Sequence, residues 1–120
     1  MFSINLKDSK PIFEQIIDQV SQYIALGVLK ENEQLPPIRG LARTLGINPN
    51  TVAKAYHECE STGLIYSIPG KGSFVSANRT GLRNVKAEAY EDLYLAFKNL
   101  RKLGEDKDKI FLSLKEVQDD

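Results

Sequence analysis

The 120 residues include a single cysteine, Cys59, a single histidine, His57, and no tryptophan. One cysteine cannot close an internal disulfide, and a free thiol suits a reducing compartment. One histidine and one cysteine also fall short of the clustered ligands a zinc site needs, so no metal site is expected. His57 and Cys59 lie two apart on a helical stretch, where side chains diverge and cannot pair as base and nucleophile. With no catalytic constellation and no cofactor motif, the chain reads as a non-enzyme. Long apolar runs are missing as well, which argues against a membrane-spanning helix and a membrane partner. The opening MFSINLKDSK has neither a cationic lead nor an apolar core, so it does not read as a signal peptide. These absences point to the cytoplasm. The length allows one compact domain with an appendage and is too short for two full-sized domains.

Net charge is absent too, since 16 basic side chains offset 16 acidic ones. Their distribution is uneven. Residues 34–87 hold seven basic residues (Arg39, Arg43, Lys54, Lys71, Arg79, Arg83 and Lys86) and two acidic ones, Glu58 and Glu60, a net of +5. The segments on either side are net acidic, by −2 over residues 1–33 and −3 over residues 88–120. Neutralising phosphates requires a local positive field rather than a basic protein overall.

What the chain does contain is a sequence of helical and hairpin signals. Ile12, Phe13, Ile16, Ile17, Val20, Tyr23 and Ile24 recur at helical spacing between Pro11 and Gly27. They predict an amphipathic helix, preceded by a short strand or extended arm in which Phe2, Ile4 and Leu6 alternate. Leu35-Pro36-Pro37 holds the chain extended, and a short helix with Leu41, Ala42 and Leu45 inward then stops at Gly46. A second helix is expected from about Pro49 to Ser61, with Asn48 as N-cap and Pro49 at its first position. Val52, Ala55, Tyr56 and Cys59 fall on its inner side, leaving Asn50, Thr51, Ala53, Lys54 and His57 outward. Two helices joined by a short Gly-containing turn make a helix-turn-helix, whose second helix is the one presented to DNA. Ile65-Tyr66 and Phe74-Val75 flank Pro69-Gly70-Lys71-Gly72, the pattern of a hairpin with a small basic tip. That tip lacks the spacing and strand–helix context of a nucleotide-binding P-loop.

The remainder changes character. Ala77–Asn84 is polar, contains Gly81 and reads as a linker. Val85–Leu103 is helical in pattern, with Ala89, Leu93, Ala96, Phe97 and Leu100 on one stripe and Tyr90 and Tyr94 beside it. After a turn at Gly104, a second short helix carries Ile110, Phe111, Leu114 and Val117. Apolar faces of that extent imply a partner. The expectation is a symmetric homodimer through Ala89, Tyr90, Leu93, Tyr94, Ala96, Phe97, Leu100, Ile110, Phe111 and Leu114. The alternative is a tail folded back on the first helix of its own chain. The fold class expected is mainly α with a small β-hairpin. A winged helix-turn-helix over residues 1–76 is followed by a linker over 77–84 and a helical dimerisation region over 85–120.

The run LPPIRGLARTLGINPNTVAKAYHECESTGLI, with GKGSFV after it, resembles the winged-helix domain of GntR-family bacterial transcription regulators. PIFEQIIDQVSQYIALGVLKENEQLPP is similar to that family's first helix and the lead into its second, so the resemblance covers roughly residues 11–76. The short remainder resembles the YtrA-like branch. By this resemblance Arg39 matches an arginine that contacts DNA early in the second helix. Asn50, Thr51 and Lys54 match the exposed start of the recognition helix, and Gly70, Lys71 and Gly72 match a wing tip that approaches the minor groove. Arg43, Asn48 and His57 complete the expected DNA-facing set. Pro37 and Gly40 depart from the family's usual serine and acidic residue, and Lys30–Glu33 lacks its usual Pro-Gly. The resemblance implies a sequence-specific regulator of transcription, more often a repressor, bound as a homodimer to a near-palindromic site on double-stranded DNA. A small-molecule effector has room only in the tail or its dimer cleft, where no polar cluster singles out a ligand. The alternative is a winged helix used as a protein-interaction module, which would carry apolar residues on the outer face of its second helix.

Overall fold

Helix α1, Ile12–Ala25, supplies the first wall of the core in the computed structural model, which describes residues 1–77 and 80–117. Its apolar stripe buries Ile16 and Val20 completely. Helix α2 (Ile38–Leu45) and helix α3 (Pro49–Ser61) follow, and both α1 and α2 pack on α3. The four residues expected inward on α3 (Val52, Ala55, Tyr56 and Cys59) are all buried. Such period-3.6 matching of apolar positions to a single face is what fixes a helix on its neighbours. Burial pushes the Cys59 thiol up to about 12, so the side chain acts as a small apolar residue rather than a reactive thiolate. Tyr56 is buried too, and its hydroxyl donates to the Pro36 carbonyl at 2.7 Å, tying α3 to the extended segment before α2.

Strands β1 (Ile65–Ile68) and β2 (Gly72–Val75) form the antiparallel hairpin, with Ile65 opposite Val75 and Tyr66 opposite Phe74. The Lys71 amide donates to the Ile68 carbonyl at 2.9 Å across Pro69 and Gly70, whose φ is +78°. Proline followed by a left-handed glycine is the signature of a type II turn. The other edge of β2 is covered by residues 32–35: Leu35 donates to Ser73 and Asn32 to Val75, each at 2.8 Å. This third extended segment carries too little alternation to stand out in the sequence.

The N-terminal residues form an arm and not a strand. Phe2 is buried edge-on against Tyr23, with ring centroids 5.4 Å apart. Gln15 accepts from the Asn5 amide at 2.8 Å and donates to the Asn5 and Lys10 carbonyls at 3.0 and 2.9 Å. With Gln19, which accepts from the Ser3 amide at 2.9 Å, it satisfies backbone groups of the arm at Ser3, Asn5 and Lys10 without a strand partner.

The linker expected over 77–84 needs correction. Helix α4 (Thr80–Lys102) begins inside it, and Gly81 and Leu82 are buried. Asn78 and Arg79 lie outside the described residues. A Cβ on Gly81 would come within 2.3 Å of both the Gly63 carbonyl carbon and the Leu64 nitrogen. The glycine read as a flexible joint therefore permits a close backbone approach. Asn84 adds a bond from its side-chain amide to the Thr62 carbonyl at 3.0 Å.

The chain divides into two compact units, Met1–Val85 and Lys86–Asp120. In the second unit, helix α5 (Lys107–Lys115) follows a turn at Gly104 and is capped by Asp106, which accepts from the Asp108 and Lys109 amides. Phe97 and Phe111 stack across the two helices at 5.8 Å, nearly parallel. Among the described residues of this unit only Ile110 is buried. A mainly helical fold with a two-stranded hairpin and C-terminal helices is the architecture the sequence pattern implies.

Candidate nucleic-acid interface

The turn between α2 and α3 is built by a left-handed glycine and a side-chain cap. Gly46 ends α2 in the left-handed region at φ +68°, and Ile47 then donates back to the Ala42 carbonyl at 3.0 Å. Asn48 caps α3: its side-chain oxygen accepts from the Asn50 amide at 2.8 Å, and Pro49 takes the first helical position. Asn48, one of the expected DNA-facing residues, is exposed, and its side-chain oxygen is engaged in starting the helix. Its contribution is to fix the direction in which Asn50 and Thr51 leave the turn.

Arg39, Arg43, Asn48 and Asn50 line one notch of about 480 Å³ at the helix-turn-helix, with Ala42, Ile47 and Pro49 as its floor. Both arginines and Asn50 are exposed, as are Lys54 and His57; Thr51 is partly exposed. The outer face of α3 carries no large apolar side chain. A second cleft of about 680 Å³ joins Arg39 and the Pro36–Pro37 segment to the wing residues Gly70, Lys71 and Gly72. Arg39 lines both hollows, so the recognition-helix start and the wing tip belong to one continuous surface. Lysine and arginine donors beside short polar side chains and open backbone make a surface suited to phosphates and base edges.

Two contacts in this surface have no sequence signal. Gln34 donates from its side-chain amide to the Lys71 carbonyl at 2.9 Å, holding the wing turn against the segment before α2. Glycine at 72, with φ +128°, leaves room for that amide, since a Cβ there would meet it at 2.8 Å. Lys54 does not simply project outward: its ammonium lies 3.9 Å from the centroid of the Phe13 ring on α1. Gln34 and Lys71 are 37 residues apart, and Phe13 and Lys54 are 41 apart, beyond the reach of local periodicity.

Among the described residues no group of three or more histidine, cysteine or acidic side chains could hold a metal ion. No described helix is long and apolar enough to cross a membrane.

Residues 12–75 match the family described as bacterial regulatory proteins of the gntR family. Over 78 residues the chain is 42% identical to the HTH-type transcriptional repressor YtrA of Bacillus subtilis (strain 168), an alignment covering 65% of this chain and 60% of that protein. The chain thus matches less than two thirds of that relative's length. A GntR family transcriptional regulator from Listeria monocytogenes has a similar structure, with a TM-score of 0.75 at 32% identity, covering 94% of this chain and all of that one. The AraR DNA-binding domain, solved in complex with operator ORE1, gives a TM-score of 0.55 at 27% identity over 61% of this chain and 89% of that one. Family match, winged-helix geometry and YtrA-like similarity therefore agree: this chain is a member of the GntR family of bacterial regulatory proteins.

Proposed function

We propose that this chain is a cytoplasmic, homodimeric repressor of transcription that recognises a near-palindromic operator in double-stranded DNA. The observation that carries the reading is the shared position of Arg39, which joins the start of α3 to the wing tip on one surface. In this account residues 1–76 bind DNA. The start of α3 enters the major groove, where Asn50 bridges the donor and acceptor of an adenine and the Thr51 methyl meets a thymine methyl. Arg39, Arg43 and Lys71 hold phosphates, with His57 further along α3 on the same exposed side. Gly70 and Gly72 keep the wing tip slender enough to approach the minor groove. A protein-docking use of α3 is disfavoured, because its outer face lacks the large apolar groups that anchor such interfaces.

Residues 85–120 supply the dimer contact. Tyr90, Leu93, Tyr94, Ala96, Phe97, Leu100, Ile110, Phe111 and Leu114 line an apolar groove of about 490 Å³ in the second unit, with Ala89 one residue beyond it. Leu93 and Leu114 are each 47% exposed. A second copy of the same groove would cover both by an isologous contact. Two copies would then present their recognition helices to successive major grooves.

Base reading and backbone anchoring are separable by mutation. Asn50→Ala is expected to cost about 1–3 kcal/mol on the preferred operator and to relax preference at one base pair. Lys71→Ala is expected to weaken specific and random duplexes alike and to reduce the salt dependence of binding by about one phosphate contact. Equal losses on operator and random DNA for Asn50→Ala would remove it from the base-reading set.

A further inference from the structure

Lys54 lies one helical turn after Asn50, so its Cα shares the outer side of α3 and a base contact is the simple expectation. Its ammonium goes elsewhere. It lies over the face of Phe13, 3.9 Å from the ring centroid, well within the distance at which a cation is attracted by the ring's negative face. Phe13 belongs to the first turn of α1 and is partly buried against the core, so the ring is a fixed platform. Lys54 itself stays exposed, and no acidic partner shares its charge among the described ion pairs.

From this geometry we infer that Phe13 is a positioning residue for DNA binding. It holds the Lys54 ammonium on the α1 side of the recognition helix, where it meets a phosphate at the groove edge instead of a base. A lysine is suited to that task, since its ammonium is a compact point charge that reads no hydrogen-bond pattern when it meets a phosphate. A free lysine must lose side-chain freedom to make one such contact, and a ring that already holds it lowers that cost. The platform also withholds Lys54 from guanine edges and leaves base reading to Asn50 and Thr51. This inference rests on the DNA-binding reading above.

The test is a double-mutant cycle on the full chain with Phe13→Leu and Lys54→Met, read as affinity for a selected operator and a random duplex at several salt concentrations. Phe13→Leu keeps an apolar side chain in the core, and Phe13→Tyr keeps the ring. Lys54→Met is expected to weaken both duplexes by similar factors and to lower the salt slope by about one. Phe13→Leu should weaken binding about two- to fivefold when Lys54 is present and leave it unchanged in the Lys54→Met background, while Phe13→Tyr binds as the parent does. Equal Phe13→Leu losses with and without Lys54 would show a purely structural role and overturn the inference. So would no loss at all, or a Lys54→Met defect confined to one base pair. Failure of the parent protein to bind any duplex would instead overturn the DNA-binding reading itself, and this inference with it.

Discussion

A monomer with operator affinity lowered about 10²- to 10⁴-fold is the expected result of Leu114→Glu, because half-sites then bind without the effective concentration that a dimer supplies. The same is expected of Leu93→Glu. Both side chains line the apolar groove between α4 and α5. Each is already 47% exposed in the single chain, so a charge there costs its own unit little. In a dimer, by contrast, the charge would be buried against its own copy, with no partner to offset its desolvation. Sedimentation of both variants beside the parent separates the effects. Dimeric parent, monomeric variants and unchanged circular dichroism would support the tail as the dimer contact. A monomeric parent at micromolar concentration would refute it.

The second large effect concerns stability. Gly81→Ala is expected to cost about 1–3 kcal/mol through overpacking, lowering the melting temperature by roughly 5–20 °C. The added carbon would fall 2.3 Å from backbone atoms of Gly63 and Leu64, which cannot rotate aside as a long side chain could. In an unobstructed helix the same exchange is favourable by about 1 kcal/mol. Gly40, inside α2, offers that control: a Cβ there meets nothing nearer than Pro37 at 3.9 Å, an ordinary contact. Gly40→Ala should therefore raise the melting temperature while Gly81→Ala lowers it. A Gly81→Ala protein that melts at or above the parent would show that α4 does not begin against the Gly63–Leu64 backbone.

Gly81 also marks the limit of what can be read from sequence. The helix-turn-helix was legible because its signals are local. Asn48 and Pro49 start α3, Gly46 ends α2, and the four apolar positions from Val52 to Cys59 fall on one face, as observed. The hairpin was legible for the same reason, since Pro69 and Gly70 supply a turn with strand formers on both sides. Gly81 was not. A polar stretch with a glycine reads as a joint, and only the distant Gly63 reveals that the missing Cβ serves close packing. Faces could be assigned but not partners. The outward position of Lys54 followed from helical spacing, whereas its attachment to Phe13 depends on how α1 crosses α3. Gln34 gave no signal at all, because its role is to hold a carbonyl at the wing tip.

In the proposed mode of binding, two copies of this chain read an inverted repeat through α3 and the wing. Selection of bound duplexes from a random DNA pool, followed by titration of the winner at two salt concentrations, tests it most directly. The expected result is enrichment of an inverted repeat whose half-site centres lie about 10 base pairs, or a multiple of that, apart. The affinity should also fall steeply with added salt, as several phosphate contacts require. A pool that remains random after repeated rounds, or an affinity indifferent to salt, would contradict it.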